Sequence, residues 1–122
     1  MYVETLEKLS NAAFGKKKLI EESKGKYFVA SIMAGLYVGL GIFLIMTIGG
    51  LTKGMGPHFK IFIGLGFGIA LSLVLVIGSE LFTGNNMIMT AGLANKRVSL
   101  KDTLKVWGTS YIGNLVGSTI VG

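Results

Sequence analysis

Polar chemistry is concentrated at one place inside an apolar stretch, in Gly78-Ser79-Glu80-Leu81-Phe82-Thr83-Gly84-Asn85-Asn86. Ile61 to Ile77 before it carries no charge, and Met87 to Ala94 after it is a further short apolar run. A carboxylate, a hydroxyl and two amides at membrane depth are costly unless they line a cavity or are buried against protein. That is the pattern of a broken transmembrane helix at a substrate path.

Glu80 is the only acidic residue in the apolar segments and admits two readings. One is a proton or cation site. The other is a structural carboxylate accepting hydrogen bonds from backbone N–H groups freed by the break. The structural reading is preferred, because Glu80 lies among groups that need such partners and an exposed carboxylate repels anions. Thr83 is placed to cap a second half-helix, whose start offers backbone donors and a partial positive charge to an anion. A cap alone is the alternative role for Thr83. Leu81 and Phe82 form a hydrophobic constriction if the loop dips into a pore. Phe67 and Leu71, four apart on the preceding half-helix, can add to it. Gly78, Gly84 and Asn85 join Glu80 as residues serving the loop's own structure.

Little else in the chain offers chemistry. His58 stands alone in a loop and is assigned to the membrane–water interface. There is no Ser-His-Asp constellation, phosphate loop or metal-ligand cluster, which argues against an enzyme, a bound metal or a cofactor. The chain has no cysteine. Its net charge of +6 comes from basic residues that flank apolar runs, which is a membrane pattern and not a nucleic-acid one. No cleavable signal is apparent.

The elements that position the break follow from hydropathy. Hydrophobic residues make up 51% of the chain, with 19 glycines and one proline, as in packed membrane helices. Residues 1–26 read as an amphipathic segment, with Tyr2, Leu6, Leu9 and Ala13 on one helical face. Residues 27–122 form a transmembrane domain. Tyr27 to Gly50 is uncharged and reaches about 36 Å, enough to cross a roughly 30 Å hydrocarbon core. Ala30, Ala34, Gly35 and Gly39, and later Gly113 and Gly117, place small residues for close helix packing. Ile61 to Ala94 as one straight helix would span about 51 Å, so it must tilt severely, leave the membrane or break. Asn95 to Lys105 reads as a basic loop, and Val106 to Gly122 as a third apolar segment with Trp107 and Tyr111 as interface anchors.

The expectation is therefore an all-α membrane protein with three transmembrane segments, the second broken by a re-entrant loop. Positive-inside counting puts the amino terminus and the Asn95–Lys105 loop in the cytoplasm. The third segment ends short of a full crossing, which suggests one inverted repeat of a longer transporter.

Gly78-Ser79-Glu80-Leu81-Phe82-Thr83-Gly84-Asn85 resembles the second-helix loop motif of the formate/nitrite transporter family. Ala34-Gly35-Leu36-Tyr37-Val38-Gly39-Leu40-Gly41-Ile42 resembles that family's first helix, and Gly113-Asn114-Leu115-Val116-Gly117-Ser118 its third. The Gly-Ser-Glu wording is closer to the nitrite and hydrosulfide members than to the formate channels. The resemblance implies an aquaporin-like six-helix subunit made of two inverted repeats, of which this chain is the first. It also implies a homopentamer in a bacterial or archaeal inner membrane, with a pore in every subunit. By the same resemblance Leu81, Phe82 and Thr83 narrow the pore, and Phe67 and Leu71 line its slits. The family's pore histidine belongs to the second repeat, so His58 does not take its role. The implied function is passage of a small monovalent anion such as hydrosulfide, nitrite or formate. The rival readings are a structural membrane subunit and a proton-coupled small exporter using Glu80.

Overall fold

A computed structural model describes all residues, 1–122. Five helices follow one another: α1 (Tyr2–Glu22), α2 (Lys24–Thr52), α3 (Phe59–Ile77), α4 (Phe82–Ala94) and α5 (Leu100–Val121), with a short 3-10 turn at Gly56–His58 before α3. Two segments have the length and apolar character to cross a membrane, Lys24–Thr52 and Gly56–Ile77. Only 22 of 122 residues are buried, and Leu65, Leu75, Val76 and Met46 are among many large apolar side chains facing outward. Helices so apolar on their outer faces suit lipid or further protein, not water.

Local sequence explains where each helix starts and stops. Ser23 separates α1 from α2 in an extended conformation, and its hydroxyl accepts the Lys26 N–H at 3.3 Å. Gly78 ends α3 in the left-handed region at φ 74°, which glycine adopts without a Cβ penalty. The Gly78 and Ser79 N–H groups return to the Val74 carbonyl at 3.1 and 3.0 Å. Ser99 and Asp102 form a reciprocal capping box at the start of α5, both bonds at 3.1 Å.

α2 is the central element, with α5 on one side and α3 on the other. Its seam with α5 depends on absent side chains. A Cβ at Gly35 would collide with the Asn114 backbone carbonyl, and one at Gly117 with the carbonyl of Ile32. The larger core side chains lie elsewhere, where α1, α4, α5 and the start of α2 meet. Ala13, Ile20, Tyr27, Met89, Val98 and Val106 form one buried cluster there.

Two expectations need correction. The buried side of α1 is Ser10, Ala13 and Ile20, whereas Tyr2 is 85% exposed and Leu6 is also exposed. The buried side is set by packing against α4, where Gly92 admits the Ala13 methyl group. The basic loop is only residues 95–99, because the capping box starts α5 early and carries Lys101, Asp102 and Lys105 into helix. Trp107 and Tyr111, expected as interface anchors, also have partners within the chain. The Trp107 indole N–H donates to the Asn85 carbonyl at 3.4 Å, and Tyr111 packs edge-on against Phe82.

Candidate functional site

The interruption between α3 and α4 is narrower than the polar cluster. Helix ends at Ile77 and resumes at Phe82, so Thr83, Gly84, Asn85 and Asn86 are already helical. The few residues between must place their backbone polar groups without a helix or a strand to receive them. The Glu80 N–H donates to the Ala30 carbonyl of α2 at 3.3 Å. The Glu80 carbonyl accepts from the Asn114 amide at 3.0 Å, and the same amide's oxygen accepts the Phe82 N–H at 2.9 Å. The Leu81 carbonyl receives the Asn85 N–H at 3.0 Å and begins the α4 ladder.

This overturns the cap reading of Thr83. The residue before α4 is Leu81, which has no capping side chain, and the cap comes from Asn114 on α5. Thr83 sits inside the first turn, exposed, with its hydroxyl and backbone N–H in no hydrogen bond within the chain. The Gly84 N–H is likewise unpaired.

The partners expected for Glu80 are also corrected. Its buried carboxylate binds no backbone N–H. It accepts from the Lys16 ammonium at 2.6 Å and from the Tyr27 hydroxyl at 3.0 Å. Tyr27 in turn accepts from the Asn85 amide at 2.9 Å. Lys16 on α1, Tyr27 on α2, Glu80 in the break and Asn85 on α4 thus form one connected network. Each buried side-chain polar atom in the chain has a partner. The short distance reflects charge on both sides of the Lys16–Glu80 bond.

A second ion pair ties α1 to α5, with the Lys17 ammonium 3.1 Å from the Asp102 carboxylate. Burial works to raise the Asp102 carboxyl, but hydrogen bonds with Ser99 and the nearby Lys17 charge outweigh it and hold it below its ordinary value. The hydrogen bond to Asp102, then its charge, raises Lys17 above its ordinary value. Arg97 also reaches back to Asn11 on α1 at 2.5 Å.

Beside the break lies a groove of about 230 Å³ lined by Leu81, Phe82 and Thr83 together with Val38, Tyr111 and Asn114. The Phe82 and Tyr111 rings meet at 5.3 Å and 71°, an edge-to-face pair. The structure therefore brings Leu81, Phe82 and Thr83 to one wall. Phe67 and Leu71 do not line it, and both are roughly half exposed on α3. Gly78, which ends α3, and the buried Glu80 do not line the groove, while Gly84 and the buried Asn85 belong to α4. His58 is exposed at the opposite end of α3 from the break.

The sequence profile of the formate/nitrite transporter family matches residues 3–122. The chain belongs to that family. A nitrite transporter, NirC, of Salmonella typhimurium is 39% identical over 122 residues, covering 99% of this chain and 44% of that protein. A Methanothermobacter thermautotrophicus protein named "Probable formate transporter" is 41% identical over 100 residues, 80% of this chain and 36% of its own length. A solved structure, an "FNT family ion channel", superposes with a TM-score of 0.89 at 39% identity and covers 98% of this chain. This chain spans 47% of that structure and less than half of both transporters. The matched proteins are transporters and channels, and with two apolar helices of crossing length the chain is a membrane protein.

Sequence reasoning missed Lys16, Tyr27, Tyr111 and Asn114 as partners of the break. Asn114 carries a signal in hindsight, as an amide within the apolar stretch of α5. Lys16 carries none that separates it from Lys17 and Lys18.

Proposed function

We propose that this chain supplies one wall of a pore for small monovalent anions, with nitrite, formate and hydrosulfide as the candidate permeants. The observation carrying this reading is the first turn of α4 beside the groove. The Thr83 hydroxyl and the Thr83 and Gly84 N–H groups are unpaired there, next to the apolar Leu81 and Phe82. A helix start of this kind attracts negative charge, and apolar neighbours strip large hydrated ions. Glu80 is neutralised by Lys16 and does not face the path as a bare carboxylate.

In this reading α2, the broken α3–α4 unit and α5 are three crossings, the break is re-entrant, and the amino terminus is cytoplasmic. The subunit is completed by a second repeat and assembles as a homopentamer in an inner membrane. Phe67 and Leu71 then face the second repeat and form the slits with it. Basic residues at 95–105 draw anions to the cytoplasmic mouth. The test is anion flux into liposomes holding the full-length protein, with formate, nitrite and hydrosulfide offered separately. Selective flux of at least one supports the proposal. Absence of flux for all three would sink it and favour a structural subunit.

A further inference from the structure

Asn114 is the side chain on α5 that touches the break at more than one point. Its Nδ2 donates to the Ser31 carbonyl of α2 at 2.8 Å and to the Glu80 carbonyl at 3.0 Å. Its Oδ1 accepts the Phe82 N–H at 2.9 Å. Both donors and one acceptor are therefore in use, and the three partners fix which way the amide faces, because a flip would set N–H against N–H and oxygen against carbonyl. Only a primary amide offers two donors and an acceptor on one short, planar group. An acid lacks the donors and a hydroxyl lacks the reach.

The consequence falls on the groove. Three residues earlier on α5, Tyr111 holds the Phe82 ring edge-on, and positions three apart share a helix face. The Phe82 residue is thus gripped at its ring by Tyr111 and at its backbone by Asn114. Asn114 takes the first free N–H of α4 and leaves those of Thr83 and Gly84 unpaired. The same amide ties the break to α2 through Ser31, next to the Leu81–Phe82 side of the groove, while the bonds of Glu80 to Ala30 and Tyr27 hold the other side of the break to α2.

We infer that Asn114 is a positioning residue that sets the width of the Leu81–Phe82 constriction and aims the first turn of α4 into the groove. This rests on the reading of the groove as part of the anion path. It assigns selectivity to a residue that need not touch the anion. Without the amide, the Phe82 N–H and the Glu80 carbonyl lose their partners, and the break must rotate to find others.

The experiment compares Asn114→Ala with Ser110→Ala, a neighbouring change on α5 whose hydroxyl bonds only to its own helix. Full-length protein in liposomes is assayed for formate against acetate flux and, in parallel, for amide hydrogen exchange by segment. For Asn114→Ala the formate preference should fall about fivefold or more, and exchange over Leu81–Asn86 should rise about tenfold while α2 and the rest of α5 keep their protection. Ser110→Ala should leave both readouts near those of the unmodified protein. If Asn114→Ala does not assemble, Asn114→Gln carries the test. It keeps every donor and acceptor but displaces them by one methylene, so it should give an intermediate shift in both readouts. An unchanged selectivity, or a rise in exchange spread evenly over α2 and α5, would overturn the inference by making Asn114 an ordinary packing residue. If the unmodified protein passes no anion, the pore reading fails, and an unchanged Leu81–Asn86 exchange in the variant would separately refute the role of Asn114.

Discussion

On either side of Asn114, α5 meets α2 in opposite ways. At Gly113 and Gly117 the contact exists because a side chain is missing: added Cβ atoms would strike Ser31 and the Ile32 carbonyl. At Asn114 a side chain is present and satisfies three backbone groups from two other segments. The glycine seam is held by close approach and dispersion, as membrane helices are. The break is held by hydrogen bonds, some from neighbouring backbone at Val74 and Ala30 and the rest from the Asn114 amide. Volume is what damages the first region, and loss of a donor or acceptor is what damages the second.

The largest effect should therefore come from adding volume to the seam. Gly117→Val would drive atoms into the Ile32 carbonyl and Leu36 backbone, which cannot yield as a flexible side chain would. It should cost about 3 kcal/mol or more and remove the assembled protein from a size-exclusion profile. Gly108→Ala on the same helix meets nothing within 4 Å and should be neutral or stabilising by up to about 1 kcal/mol. Similar outcomes for the two would show that α2 and α5 are not locked by their glycines.

The next effect should come from removing one partner of the buried ion pair. Glu80→Ala leaves the Lys16 ammonium and the Tyr27 hydroxyl without their acceptor at a site where the two charged side chains are 18% and 9% exposed. A loss of about 2–3 kcal/mol is expected in thermal unfolding, since breaking one partner of a buried pair leaves the other uncompensated. Tyr27→Phe removes only the bridge between Glu80 and Asn85 and should cost about 1–2 kcal/mol. If Tyr27→Phe proved the more damaging, the hydroxyl and not the ion pair would be the keystone of the network.

These two regions also differ in how far they could be read from sequence. Small residues at regular steps announce a close helix seam by themselves, so Gly35, Gly113 and Gly117 were legible before any coordinates. The break was legible as a polar interruption, because length and polarity act locally. What satisfies it was not legible. Lys16 lies 64 residues from Glu80 and Asn114 lies 32 residues from Phe82, and nothing in spacing selects them. Thr83 was misread for the same reason. Its local sequence suits a cap, but an amide from α5 reaches the helix start and leaves the hydroxyl free. The small side of α1 that faces α4 was hidden too, since Tyr2 and Leu6 fit the same helical stripe as Ala13 yet stand exposed.

A smaller effect is expected at the Lys17–Asp102 pair, which is partly exposed and joins α1 to α5 by an ion pair. Because the Asp102 carboxyl is depressed below its ordinary 3.8, its stabilisation is complete above that value and is lost as pH falls through the folded-state value. Lys17 is raised above its ordinary 10.5, so its share is complete below that pH and is lost as pH rises further. Docking of α1, followed by limited proteolysis, should be level between these limits and weaken at the acid end. Asp102→Asn should flatten that acid limb. An unaltered acid limb would assign it to another carboxylate.

The smallest effects on stability should distinguish the two ends of α3. Thr83 and His58 are both exposed, and neither side chain makes a hydrogen bond within the chain. Thr83→Val and His58→Gln should each shift unfolding by less than about 0.5 kcal/mol, as surface changes without partners do. Their effects on flux should nevertheless part. Thr83 faces the groove beside Leu81 and Phe82, so removing its hydroxyl should lower anion flux several-fold or change the preference among anions. His58 lies in the turn ahead of α3, at the far end of that helix from the break, and its replacement should leave flux as it was. Equal flux in both variants would break the assignment of Thr83 to the path, because two unpartnered side chains with the same stability cost would then differ in nothing but position.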